Sequence, residues 1–399
     1  MDLFSDPSLE RHFTGHTNAI TQLRFSPDSS QIATSSLDHH VILWNLKQAA
    51  RCIRFSSHTG PVHGVSWSPK GNLIASASQD RTVKVWEPKV RGMSGEFLAH
   101  GKPVRSVDFD ATGQFVVTAS DDKSCKLWRV SRRQFITSFA KQNNWVRAAK
   151  FSPNGELVAS VSDDKSLRIY DVKSGECVRC FTMQQAPPRQ LAWHPMGNMV
   201  AVALGCNRIK IFDVGGSQIL QLYLVHSAPV NDVAFHPSGN FLISGSDDKT
   251  IRILDLLEGR PIYTLTGHTD AVNAVAFTQD GLKFASAGGD RQLLIWQSNL
   301  HTYDASQFEA KATSCCDTSG TFSAEPSRSG SATSNDLSIR IDPRESMAYQ
   351  ALDENFQMLD VSLDSVSECC STHDQLAELS TQVAQLDKRI RRLEQLYFR

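Results

Sequence analysis

A step of 42 residues runs through most of this chain. One large apolar or aromatic position recurs at Trp44, Trp86, Trp128, Tyr170, Phe212, Leu254 and Trp296 without slippage. A second keeps the same step at Phe25, Trp67, Phe109, Phe151, Trp193, Phe235 and Phe277. Glycine follows it at Gly71, Gly113, Gly155, Gly197, Gly239 and Gly281, with Ser29 in the first unit. A fixed period of this length marks a repeat architecture, in which each unit is one block that buries its faces against its neighbours.

The texture inside a unit is β. Runs such as VHGVSWSPKG, LIASASQD and TVKVWEP are short and rich in Val, Ile, Ser and aromatics, and they break at Pro-Lys-Gly and Gln-Asp turns. Each unit holds three clear strands and room for a fourth. Four strands repeated seven times predict an all-β fold, a seven-bladed β-propeller over residues 8–299. The last unit ends after its third strand near Trp296, and SLERHFTG, ahead of His16, reads as a fourth strand lacking the first three. That segment is expected to complete the last blade and close the ring, leaving no open sheet edge.

The register resembles that of WD-repeat proteins, although no Trp-Asp pair stands at the slot: the pairs are Trp44-Asn45, Trp86-Glu87, Trp128-Arg129 and Trp296-Gln297. In that family a His, a Ser or Thr, a turn Asp and the Trp form a hydrogen-bonded relay within a blade. The resemblance places such tetrads at His16, Thr34, Asp38 and Trp44; at His58, Ser76, Asp80 and Trp86; at His100, Thr118, Asp122 and Trp128; and at His268, Ser286, Asp290 and Trp296. Unit four carries Gln142 and Tyr170 beside Ser160 and Asp164, and unit six keeps His226, Ser244 and Asp248 but ends in Leu254. Unit five has lost the set, with Gln184, Val202, Cys206 and Phe212.

Recurring His, Asp and hydroxyl residues invite a hydrolase reading. A catalytic triad occurs once, whereas this set occurs four times in register, as expected of a device that satisfies buried polar groups. No G-x-x-x-x-G-K-[ST], H-E-x-x-H or G-x-S-x-G is present. The expectation is a protein that is not an enzyme and holds no cofactor. The one C-x-x-C, Cys177 and Cys180, lacks a second ligand pair at zinc spacing, so no metal site is expected either.

Function must then come from a surface. In WD-repeat proteins the fifth residue after the His slot rims the channel mouth. Here blades three, four and five put Arg105, Arg147 and Arg189 at that position, and Trp145 stands two residues before Arg147. Three neighbouring Arg and a Trp would suit an acidic partner, since Arg pairs carboxylates bidentately and Trp anchors interfaces. The plainer alternative is that Asp121 and Asp163 neutralise Arg105 and Arg147 in local ion pairs.

Charge divides the chain. Residues 1–300 carry 32 Lys+Arg and 26 Asp+Glu, while residues 301–399 carry 9 and 16. A total net charge of −1 argues against wholesale binding to nucleic acid or a membrane surface. No apolar run is long enough to span a bilayer, the start MDLFSDPSLERHF lacks the features of a signal peptide, and scattered cysteines fit a reducing cytosolic setting. Residues 300–345 are rich in Ser, Thr, Ala and Gly and read as a flexible linker. A weak amphipathic helix is expected over 346–370. Over 371–399 the 3-4 spacing of Leu376, Leu379, Val383, Leu386, Ile390, Leu393 and Tyr397 predicts a short coiled coil. β-branched residues at two a positions with Leu at d favour a parallel dimer.

Three stretches carry a closer resemblance: DPSLERHFTGH at 6–16, NNWVRAAKFSPNG at 143–155, and HSAPVNDVAFHPSGNFLISGSDDKTIRILDLLEGRPIYTLTGH at 226–268. With the order propeller, linker, terminal coil, and with Leu254 in place of Trp, they resemble the centriolar WD-repeat family named for protein one of the proteome of centriole. The resemblance implies a centriole and basal-body scaffold supporting centriole assembly, length, stability and cilium formation. It implies a propeller that docks on centriolar proteins, tubulin or the microtubule wall being candidates, and a coil that self-associates or recruits. Two other readings compete. A ubiquitin-ligase substrate receptor would usually carry W-D-x-R at a blade end, which is absent. A microtubule-severing regulatory subunit would normally have a longer helical region.

Overall fold

The computed structural model describes residues 6–47, 52–90, 92–139, 142–216 and 218–300. These residues form seven four-stranded antiparallel sheets, arranged as the blades of a propeller. Six blades use consecutive strands. Blade three, for example, runs Val104–Phe109, Phe115–Ser120, Cys125–Arg129 and Gln134–Phe139 from the axis outward. The innermost strands touch one another in sequence, and Ile20–Phe25 closes the circle against Val272–Phe277.

Closure is made by the start of the chain. Ser8–Thr14 lies antiparallel along Gln292–Gln297 and forms the outer strand of blade seven, with Leu9 opposite Trp296 and Thr14 opposite Gln292. Lys283 Nζ reaches Glu10 at 2.6 Å, and Asn299 Nδ2 donates to the Asp6 carbonyl at 3.0 Å. Leu300, placed in the linker on composition, is 2% exposed and packs with Phe284 and Trp296, so the propeller extends through it. The expected linker beyond it, the helix over 346–370 and the coiled coil lie outside the described residues.

Burial explains the composition of each strand. Strands in the middle of a blade are covered on both faces by the adjacent blades: all residues of Ile74–Ser78 are buried, and they are small or β-branched. An outer strand such as Ser94–Leu98 alternates exposed and half-buried positions. The apolar side chains fall into seven clusters, and each spans the junction of two neighbouring blades. No blade has a core of its own; every one is stabilised by its neighbours.

The recurring glycine has a backbone reason. It closes the turn after the inner strand in the left-handed region, at φ +73° for Gly113 and +84° for Gly239, where a Cβ is strained. Ser29 takes the same conformation in blade one.

Candidate functional site: the rim of the channel mouth

Each inner strand carries one β-bulge at the same place. In blade three the register skips from Val104 opposite Ser120 to Ser106 opposite Ala119, leaving Arg105 without a partner; the same slip occurs in all seven blades. A bulge re-aims a side chain and frees it from ladder geometry. This is why the rim residues reach across to neighbouring blades. Thr21 Oγ1 donates to Val62 O at 2.7 Å, Asn231 Nδ2 to Val272 O at 2.9 Å, and Asn273 Nδ2 to Ile20 O at 2.9 Å.

The tetrads supply the rigid frame beneath the rim. His16 Nδ1 lies 2.8 Å from Asp38 Oδ2, His16 Nε2 2.8 Å from Thr34 Oγ1, and Trp44 Nε1 donates to that hydroxyl at 2.8 Å. His58, Ser76, Asp80 and Trp86 repeat the arrangement at 2.7, 2.7 and 2.9 Å. His100, Thr118, Asp122 and Trp128 repeat it at 2.7, 2.7 and 3.1 Å, and His268, Ser286, Asp290 and Trp296 at 2.8, 2.8 and 3.0 Å. One chain of donors satisfies every atom: indole N–H to hydroxyl, hydroxyl to imidazole, imidazole N–H to carboxylate. Burial lowers the His100 and His226 pKa values and so favours the neutral ring this chain requires. Burial alone would raise the Asp122 carboxyl, but the bonds from His100 and Ser124 outweigh it and hold the group well below the usual carboxylate range. Because the hydroxyls are buried and already occupied, they are not presented to any substrate.

The incomplete units solve the same problem differently. Gln142 Nε2 donates to Ser160 Oγ at 2.7 Å, and Ser166 Oγ donates to Gln142 Oε1 at 3.1 Å. In blade six His226 lies 2.8 Å from both Asp248 and Ser244, with Leu254 buried where the indole would be. In blade five Val202 and Phe212 are buried where the hydroxyl and the indole would be, and Phe181 of blade four packs on Phe212 at 4.9 Å.

The three rim arginines are brought together in consecutive blades, and each is ion-paired. Arg105 donates from Nε to Asp121 Oδ1 at 2.9 Å and from NH2 to Oδ2 at 2.6 Å. Arg147 does the same with Asp163 at 2.8 and 2.5 Å. Blade five has Gly205 where blades three and four have Asp121 and Asp163, so Arg189 crosses to Asp247 of blade six, at 3.0 Å, and to Asn231. His63 accepts from Arg105 NH1 at 3.3 Å; its burial, with Arg105 adding, pushes its pKa down to about 4, so it carries no charge at neutral pH. The expected cationic sector is therefore an ion-paired one, in which three carboxylates balance three guanidinium groups.

Two features of this sector remain open to a partner. Trp145 is 41% exposed, and the Arg147 guanidinium lies 5.4 Å from the centre of its ring. The NH1 end of Arg147 has no bond among the described residues, since Asp163 takes Nε and NH2. The pairing with Asp163 locks the guanidinium in place, and that in turn supports the indole.

Sequence reasoning missed a second row of cations. Lys84 and Lys126 stand 42 residues apart, and Arg168, Lys210 and Arg252 continue the step. Lys84 Nζ donates to the Ser57 carbonyl at 2.7 Å and Lys126 Nζ to the Ala99 carbonyl at 3.1 Å, each just ahead of a tetrad histidine. The repeat period was the available signal; what the amine bonds to was not in it.

The WD domain, G-beta repeat model matches residues 7–45, 50–87, 93–129, 133–171, 217–255 and 259–297. The matched segments skip 172–216, which hold most of the blade without a tetrad. Among curated proteins, a 72-residue stretch is 76% identical to the POC1 centriolar protein homolog of Drosophila melanogaster, covering 17% of this chain and 18% of that protein. A 50-residue stretch is 50% identical to POC1 centriolar protein homolog B of Xenopus laevis, covering 12% and 11%. A 49-residue stretch is 53% identical to POC1 centriolar protein homolog A of Danio rerio, covering 12% of each. The aligned part spans less than a fifth of the length of these relatives. With the repeat model matching more than half of its residues, the chain belongs to the WD domain, G-beta repeat family.

Proposed function

We propose that this chain is a non-catalytic scaffold of the centriole and basal body, whose propeller docks on centriolar proteins by the rim around Trp145. In this reading it supports centriole assembly, length and stability, and through them cilium formation, and tubulin of the microtubule wall is one candidate partner. The C-terminal coil then dimerises the protein or recruits a further component, and two propellers on one coil raise avidity on a repeated lattice. Local identity to proteins named as centriolar supports the location. The observation that carries the choice of face is Trp145, exposed on a mouth otherwise filled by ion pairs and inter-blade bonds. An exposed indole fixed by a cation is a preorganised anchor, and Trp and Arg are the residues most enriched at energetic hot spots.

The test is the fluorescence of tagged protein in dividing cells. Full-length chain and residues 1–300 should both concentrate at the centriole pair. Trp145→Ala should fold, with an unchanged melting curve, and stay diffuse. Diffuse fluorescence of the parent chain would sink the centriolar reading. Normal targeting by the folded Trp145→Ala variant would leave that reading standing and move the docking face elsewhere.

A further inference from the structure

The inner strands enclose an axial channel, and below the rim it holds four ionisable side chains from four blades. Arg24, Asp108 and Lys150 occupy one 42-residue slot in blades one, three and four; Asp232 comes from blade six, two positions earlier in the repeat. Blades one and four are not neighbours, yet Arg24 and Lys150 act on each other electrostatically, and both act on Asp108 and Asp232. The channel is the space these four share.

The carboxylates are not bound by the cations. Asp108 accepts from the Phe151 backbone N–H at 3.1 Å and from Ser66 Oγ at 3.1 Å, which ties blades two, three and four together. Asp232 accepts from the backbone N–H groups of Val233 at 2.9 Å and Val275 at 3.1 Å. Both acids are therefore part of the channel wall. The Arg24 side chain makes one bond, from NH1 to the adjacent Leu23 carbonyl at 3.0 Å, and the Lys150 amine has neither a hydrogen bond nor an ion pair among the described residues. Two long cationic side chains thus share a confined space, repel one another, and leave most of their donors unused. Burial, with Arg24 adding, pushes the Lys150 amine down to about 8. Burial also raises both carboxyls, while Lys150 and Arg24 pull them down.

We propose that the channel binds a small oxyanion of the phosphate class between Arg24 and Lys150. The guanidinium offers a planar fork that matches two oxygens, and the ammonium supplies a point charge from the opposite side. The bound anion removes the repulsion between the cations and links blade one to blade four through the axis.

The experiment titrates the full-length protein with sodium phosphate, with sodium chloride holding ionic strength constant, and reads binding by calorimetry and stability by melting temperature. Saturable binding with a rising melting temperature is expected. Lys150→Met and Arg24→Gln should each weaken binding tenfold or more, and without phosphate should melt no lower than the parent, because the repulsion is gone. An arm with glycerol phosphate separates a free ion from a phosphomonoester: binding of inorganic phosphate alone assigns the former, binding of both the latter. Absence of saturable binding by the parent chain overturns the proposal, and so does undiminished binding by a folded Lys150→Met variant. The parent titration decides the matter by itself should a variant fail to fold.

Discussion

Single side chains in this propeller act mainly by satisfying one another across strand and blade boundaries. Asp80 accepts from His58 at 2.7 Å, from Thr82 Oγ1 at 2.6 Å, and from the backbone N–H groups of Thr82 and Thr59 at 2.9 and 3.2 Å. Asp80→Ala strands all four donors and should cost about 1–3 kcal/mol, whereas Asn154→Ala, in an exposed turn, should cost well under half as much. Comparative melting curves check this, and equal losses would show that the relay contributes nothing beyond a surface turn. His63 makes a second case. Its folded-state pKa of about 4 lies below the ordinary 6.5, so the unfolded chain takes up the proton first. Its contribution to stability is complete above about pH 6.5 and is lost as the pH falls from there toward 4. His63→Asn introduces the residue found at the same slot in blades six and seven. It should match the parent at pH 7 and lose less melting temperature between pH 7 and pH 5. His100, His194 and His226, also lowered by burial, act in the same direction, so the slope should shrink rather than vanish.

At the scale of strands and turns, the outer strand Ser8–Thr14 is the element on which the ring depends. It covers the edge of Gln292–Gln297 and brings Phe13 into the cluster between blades seven and one, against Trp44. Deletion of residues 1–14 should expose that edge together with apolar residues of the cluster. The expected outcome is a marked loss of melting temperature and of soluble yield. A truncated chain as soluble and heat-stable as the parent would show that the first strand is dispensable. This strand was legible in the sequence because SLERHFTG stands directly ahead of a His slot, where the repeat has its fourth strand. The bulge was not legible. Arg105 and its six counterparts show the same 42-residue step with or without the register slip, and only the pairing on either side reveals it.

For the molecule as a whole, stability is shared around the ring, because each of the seven apolar clusters belongs to two blades. Blade five can therefore dispense with the tetrad: Phe181, Phe212, Leu191 and Val202 join it to blade four, and Tyr223, Val230 and Val233 join it to blade six. The seam from Leu376 to Tyr397 adds an expectation about assembly. The full chain should self-associate weakly in sedimentation at tens of micromolar, and Leu386→Pro should abolish this by interrupting the helix. A parent chain that stays monomeric at that concentration would instead favour a single helix docking on another protein.

What the sequence determined by itself was the number of blades, the turn glycine and the closing strand, while the four-residue relay came from its resemblance to WD-repeat proteins. The period of 42 itself recurs seven times, so one weak unit such as the fifth does not obscure it. What only the tertiary structure decided was how side chains from different units meet. Arg189 could not be assigned to Asp247 without knowing that Gly205 leaves its own blade without a carboxylate and that blade six lies within reach. Arg24 and Lys150 are 126 positions apart in the chain and three blades apart in the ring. Local periodicity records which face of a strand a residue occupies. The circle that brings distant faces to one channel is set by seven sheets packing face on face, a global condition that no single repeat contains.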